Sequence, residues 1–322
     1  MTVFVVRRLG LLALSLLGAS ILTFALLRLL PGDAAASVGG ITADKAQLRS
    51  IRHDLGLDRP LIAQYWTWLT EVPTGDLGHS QLNGSSVTGE LGEKLRVTGP
   101  LVLGALVLAL VFAVPLGMLA AVRRERRDGT AISVASQLGI ALPTLWVGLL
   151  LILLFAVQTP LLPAQGFPVE GWADPGEASR SLVLPTLTLA LSEGAVLLRF
   201  VRSATLDVLH RDYLRTARAA GRTRTGALLR HGLRNAAGPV LSMLGVQVAA
   251  LLVGAIVVEK VFTLPGVGSM LVADVGNRDL VKVQGEVMLL VAIVLFVGFL
   301  VDIAQRLIDP RLADVRVREV TG

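Results

Sequence analysis

The chain has 322 residues, 53% of them hydrophobic and only 17% charged, with a mean hydropathy of +0.68. A soluble domain usually carries about a quarter charged residues, so this composition excludes an ordinary soluble protein and points to the membrane. The net charge of +6 would suggest nucleic acid in a soluble chain; in a membrane chain it reads as Lys and Arg retained on the cytoplasmic side, and the absence of cysteine excludes disulfides, thiolate metal sites and cysteine nucleophiles.

Six apolar runs have the roughly 20 residues that cross about 30 Å of hydrocarbon. The first, 9–30, follows Arg7 and Arg8 and precedes "DAAAS", the layout of a secretory signal. It is too long for a signal's apolar core and holds Arg28 near its far end, so it reads as an uncleaved span. The connection 31–99 comes next and reads as an extracytoplasmic loop region. Spans at 100–122 and 131–157 flank the basic turn "RRERR"; Pro115 and Pro143 lie inside them, where proline removes a backbone hydrogen bond and often kinks a helix. The fourth span, 182–201, carries Glu193 in its middle. The fifth, 239–258, contains Gly245 and Gly254, suited to close helix packing, and the sixth is 286–307. Basic residues gather in alternate connections, so both termini are expected in the cytoplasm.

Between spans four and five, 202–238 is dense in arginine. On a helical wheel Leu206, Leu209, Tyr213, Ala217 and Ala220 share one face, and Arg211, Arg215, Arg218 and Arg222 the opposite one. This predicts an amphipathic helix stopped by Gly221, then a second short helical stretch at 227–235. Two readings of the arginines stand. They rest on anionic headgroups, each worth about 1 kcal/mol, or they dock a protein groove, which the small residues Ala217, Ala219, Ala220 and Gly221 would let approach closely.

The stretch "DYLRTARAAG" at 212–221, followed by "HGLRNAAGP" at 231–239, resembles the cytoplasmic coupling loop, or EAA-type motif, of permease subunits of ABC importers in the dipeptide, oligopeptide and nickel branch. Ala220 stands where that branch usually has lysine and Gly232 where it has alanine; Arg215 holds the Glu position of the wider motif, as the branch usually reads. "LPGD" at 30–33, "LGLDRPLIAQYWTWL" at 55–69, "GDLGHS" at 75–80, "LLPAQG" at 161–166, "LVLPTLTLAL" at 182–191, "VEKVFTLPGVG" at 258–268, "NRD" at 277–279 and "DPR" at 309–311 extend the resemblance along nearly the whole chain. The short N-terminus and large first external connection are similar to the first of the two permease subunits such systems use.

The resemblance implies an all-α polytopic protein of six spans, a single transmembrane domain over 1–322, in the cytoplasmic (inner) membrane of a prokaryote. It implies ATPase coupling through Asp212, Tyr213, Arg215, Ala217, Arg218, Gly221, His231 and Asn235. The expected partners are a second homologous permease, two cytoplasmic ATPase domains, an extracytoplasmic binding protein and lipid, with no nucleic acid. No G-x-x-x-x-G-K-[ST] loop is present to cradle phosphates. The chain is therefore expected to be no enzyme and to bind no cofactor, ATP and Mg being held by the partner ATPases. Small peptides are the expected cargo; nickel chelates, glutathione or another peptide-like solute are alternatives.

An ionisable residue at membrane depth is a functional candidate by default. Glu193 either lines the translocation path or pairs with Arg199 or another polar neighbour. Glu259, Glu286, Asp302 and Arg28 sit nearer span ends. After span five, Glu259, Phe262, Pro265 and Gly266 form either a gate or a connecting turn. The four histidines, His53, His79, His210 and His231, lack metal-ligand spacing, so no metal site is expected. An intramembrane protease lacks its motifs here. A proton-coupled secondary transporter remains the rival, although no internal repeat is evident.

Overall fold

The computed structural model describes residues 2–29, 34–39, 44–54, 56–212 and 232–308, with isolated positions between 216 and 228. Among the described residues the regular structure is helical, with no strand: α1 Thr2–Leu29, α2 Ala34–Gly39, α3 Lys45–Asp54, α4 Leu61–Glu71, α5 Val87–Val122, α6 Arg127–Ala141, α7 Thr144–Ile152, α8 Pro175–Leu209, α9 Leu233–Val261, α10 Val267–Asn277 and α11 Leu280–Ile308. α1, α5, α8, α9 and α11 are each long and apolar enough to cross a membrane. The all-α polytopic expectation holds.

The third apolar run is not one straight helix. α6 and α7, the latter continued by a π-helical turn at Leu153–Gln158, meet at a bend of 102°. The break falls at Pro143, which has no N–H to continue the ladder, and Leu142 before it is extended with φ −84° and ψ 124°. Among the described residues, five helices are long and apolar enough to cross, or six candidate spans if this broken pair counts as one.

Several helices run past the apolar limits read from the sequence. α5 begins at Val87, so the last part of the 31–99 connection already belongs to the second spanning helix, and α11 begins at Leu280, which puts Lys282 and Glu286 in its first two turns. α8 starts at Pro175 because Asp174 caps it: its side chain accepts from Gly176 N at 3.0 Å and Glu177 N at 3.1 Å, with Pro175 at the first helical position.

The chain divides into two compact units, 1–99 with 264–296, and 100–263 with 297–322. In the second unit α8 is central. Leu197, Leu198 and Val201 are buried against Ala109 and Ala113 of α5, with Ile132 of α6 and Val240, Met243 and Leu244 of α9 closing around them. Small residues set the approach: a Cβ on Gly117 would stand 2.9 Å from Leu198 O, and one on Gly139 2.9 Å from Ala195 Cβ. Gly254 packs on Leu189 of α8 and Gly245 faces Gly298 of α11, so both serve packing within the chain. In the first unit Val87, Leu91 and Val267 form a core that Leu77, Leu95, Leu289 and Leu290 extend.

Gly129 supplies a first test. A Cβ there would sit 2.2 Å from the carbonyl oxygen of Arg123, so the turn at 123–127 closes only over a glycine. Gly129→Ala should cost about 1–3 kcal/mol, read as a lower thermal midpoint in detergent; an unchanged midpoint would show that the turn opens freely.

Candidate functional site

The arginine-rich segment leaves the body of the protein from the end of α8. Described positions carry one helical turn: Ala220 N donates to Thr216 O at 3.0 Å, Thr216 Oγ1 donates to Asp212 O at 3.2 Å, and Gly221 follows with φ 84°. That left-handed conformation ends a helix and favours glycine. Asp212 is exposed. Tyr213, Arg215, Ala217, Arg218 and His231 lie outside the described residues; Asn235 is in the first turn of α9, with its side chain also outside them.

Two anchors of this segment were not singled out in the sequence. Leu228 is 1% exposed and packs with Val208 of α8 against Met118, Val122 and Leu209, fastening the second half of the loop to α5 and α8. At the end of α8, His210 Nδ1 donates to Leu206 O at 2.7 Å, leaving Nε2 to accept from Arg124 Nη1 at 3.1 Å. The turn after α5 and the start of the arginine-rich segment are thus joined. An open cavity of about 580 Å³ adjoins them, lined by Phe200, Asp207, Arg211, Asp212 and Pro239 among others.

Deeper in the same unit Glu193 is half-buried, and its partner is Gln247 of α9, which is 1% exposed. Gln247 Nε2 donates to Glu193 Oε2 at 2.6 Å and to Glu193 O at 3.2 Å, so one amide clamps side chain and backbone of the neighbouring helix. Of the expected pairing with Arg199 or another polar neighbour, the structure shows the second, a bond across helices to Gln247. Glu193→Gln keeps a hydrogen-bonding group for Gln247 while removing the charge. It should preserve assembly and lower transport about tenfold if the charge serves the path; normal uptake would leave Glu193 with packing alone.

The turn after span five is packed down. Glu259 is 0% and Phe262 1% exposed, and the Phe262 ring lies over Gly148 of α7, where a Cβ would meet it at 3.3 Å. Gln165 Nε2 donates to Val261 O at 3.1 Å and Gly166 N to Phe262 O at 2.8 Å, so the 161–166 stretch caps the C-terminal carbonyls of α9. In the other unit Leu264 and Gly266 are buried and Pro265 is exposed, while Thr98 Oγ1 accepts from Val267 N at 2.9 Å and so caps α10. The structure places these residues in anchored ends of helices.

The first unit also holds a charged network. Lys282 Nζ lies 2.6 Å from Glu90 Oε2 of α5, where it donates a hydrogen bond, and 3.0 Å from Asp274 Oδ2 of α10, an ion-pair contact. Glu286 is fully buried beside Asp274, and Ser85 donates to Glu90. Asp279 caps α11, accepts from Ser80 Oγ at 2.5 Å and receives Gln81 N at 3.3 Å, joining "GDLGHS" to "NRD". One signal was available in the sequence: Lys282 and Glu286, four apart, share a helix face. Their partners were not legible, because Glu90 stands 192 residues away from Lys282.

Residues 1–90 match the family described as binding-protein-dependent transport system membrane component, N-terminal, and residues 113–314 match the binding-protein-dependent transport system inner membrane component. The chain belongs to this family of inner-membrane permeases of ABC importers. It is 38% identical over 310 residues to the glutathione transport system permease protein GsiC of Escherichia coli O6:H1, covering 96% of this chain and 98% of that protein. It is 38% identical over 312 residues to the GsiC of Salmonella typhimurium strain LT2 and 37% over 310 to that of Escherichia coli K12, with the same shares covered. Among solved structures, a chain of the MetNI methionine ABC transporter in inward facing conformations matches with a TM-score of 0.54 at 16% identity, over 68% of this chain and 96% of that one, a likeness of fold. The permease is a multi-pass inner-membrane protein. Membership implies a partner permease, an ATPase and a substrate-binding protein as its associates.

Proposed function

We propose that this permease is the first of two homologous membrane subunits of an ATP-driven importer of small peptides, with both termini in the cytoplasm. The observation that carries the cargo is the 38% identity over 96% of the chain to permeases named for glutathione, itself a tripeptide. The order of the branch motifs from 30 to 311 supports the same class. Nickel chelates, glutathione or another peptide-like solute are the alternative cargoes for the same architecture.

In the mechanism, two ATPase domains dock on 202–238 through Asp212, Tyr213, Arg215, Ala217, Arg218, Gly221, His231 and Asn235. Closure of the ATPases pushes on this segment, and α8, rigid and packed on α5, α6 and α9, transmits the displacement through the second unit. ATP and Mg belong to the partner chains; this chain binds no cofactor and performs no hydrolysis. A basic face suits acidic residues on a docking groove.

The test is uptake into proteoliposomes holding the tagged permease and the chains that purify with it, loaded with ATP and supplied outside with the binding protein. Labelled dipeptides, glutathione and a nickel–histidine chelate are compared. Uptake of peptides that needs both ATP and the binding protein is expected. Uptake by this chain alone without ATP would replace the proposal with a secondary transporter, and uptake restricted to the chelate would overturn the cargo.

A further inference from the structure

α4, in the connection after the first span, is held against the outer end of that span. Tyr65 Oη and Ser20 Oγ are 2.8 Å apart, Arg28 Nη2 donates to Gln64 Oε1 at 2.5 Å, and the Phe24 and Tyr65 rings meet edge-on with centroids 5.4 Å apart. The charged residues of α1 set the depth of these contacts. Arg8 and Arg28 bracket the apolar residues 9–27, about 29 Å of helix, close to the thickness of the hydrocarbon core. Arg28 then marks the boundary, its guanidinium over the Phe24 ring at 5.1 Å, and Phe24 and Ser20 lie about 6 and 12 Å deeper. Because Tyr65 reaches Ser20, the backbone of α4 can stand no more than a tyrosine length above that depth.

The faces of α4 agree with such a position. At 100° per residue Gln64, Tyr65 and Trp68 form the stripe on α1, and Trp68 is 8% exposed. Beside it runs a second apolar stripe of Ile62, Trp66 and Leu69, with Ile62 83% and Trp66 63% exposed. Ala63, Thr67 and Thr70 occupy the far side and are exposed. α4 contains no Lys or Arg, so apolar area and the amphipathic indole would hold it to a surface.

We propose that Ile62, Trp66 and Leu69 are seated in the headgroup–acyl boundary of the lipid leaflet at the Arg28 end of span one, which makes α4 an interfacial membrane anchor for the 31–99 connection. The depth set by Ser20, Phe24 and Arg28 matches the roughly 5–10 Å at which amphipathic helices settle. Tryptophan is the side chain most at home at that level.

The absence of native cysteine makes the test direct. Ile62→Cys, Trp66→Cys and Thr67→Cys, each carrying a nitroxide, are placed in the full chain with its co-purifying subunits in nanodiscs of phosphatidylethanolamine and phosphatidylglycerol. Collision with oxygen, which concentrates in lipid, is compared with collision with a water-soluble nickel chelate. The oxygen-to-nickel ratio at 62 and 66 should exceed that at 67 by about threefold. Equal ratios would put α4 in water. Exclusion of both probes at 62 and 66 would put a protein partner over this face; either result overturns the proposal. If labelling at 66 disturbs folding, the fluorescence lost in Trp66→Phe reports the same thing, since lipid brominated near the headgroup should quench that component and aqueous iodide should not.

Discussion

Gly221→Asp is expected to insert and assemble normally and to lose transport by tenfold or more, with ATP hydrolysis by the partner chains freed from its dependence on the binding protein. Gly221 has φ 84°, and a side chain in the left-handed region costs roughly 1–2 kcal/mol. Aspartate tolerates that region better than most residues, so the fold should survive while the helix end beside Ala220 is displaced. A carboxylate there also opposes the basic face of the segment. Coupling by a rigid helix depends on where that helix ends, so a small displacement is enough to break the stroke. The measurement is paired: ATPase rate with and without binding protein, and peptide uptake, in the same proteoliposomes. Uptake at the level of the unsubstituted protein would show that the ATPase docks elsewhere.

Lys282→Ala should be the most destabilising single change in the first unit. The ammonium is the common partner of Glu90 and Asp274, and Glu286 and Asp279 stand close by, so its removal leaves several buried or half-buried acidic groups without the cation they share. Breaking a buried pair from one side typically costs about 3–5 kcal/mol, because the remaining charge keeps its desolvation cost. Thermal unfolding in detergent should register this as a large fall in midpoint. Glu90→Gln and Asp274→Asn combined with Lys282→Met should recover much of it, since the ammonium then leaves together with both carboxylates it contacts. A single variant as stable as the parent would mean that water or another group already neutralises the acids.

The buried network is not legible in the sequence. Glu286 reads only as an acid near a span end, and Glu90 and Asp274 as ordinary acids, each in its own neighbourhood. Their roles arise where α5, α10 and α11 meet, and no periodicity in one segment reports on the others. Glu193 was the opposite case. A lone acid in the middle of an apolar run is visible as an anomaly, yet its partner, Gln247, is a neutral residue 54 positions away. The arginine-rich segment carries contiguous motif residues, whereas its anchor Leu228 looks like any other leucine in the sequence, and only the fold sets Val208 and Met118 against it.

The turn after span five shows the same division. Its residues could be named from "VEKVFTLPGVG", but their packing, with Gly148 beneath the Phe262 ring and Gln165 and Gly166 capping α9, could not. Prolines behaved likewise. Pro115 and Pro143 were equivalent in the sequence; Pro115 is carried within the continuous helix α5, while Pro143 turns the chain through 102°. Proline removes one bond in both places, and the surrounding packing decides whether the helix continues.

By itself, then, the sequence determined the membrane class, the apolar runs and the family, since these rest on composition, on runs about as long as the bilayer is thick, and on contiguous motifs. The tertiary structure alone decided the break at Leu142 and Pro143, the seating of α4 on α1, the cap that 161–166 places on α9, and the union of Lys282 with Glu90 and Asp274. Those features depend on side chains far apart in the chain approaching within a few ångströms, and hydrophobic pattern specifies which face of a helix is apolar without specifying which polar groups will meet beside it.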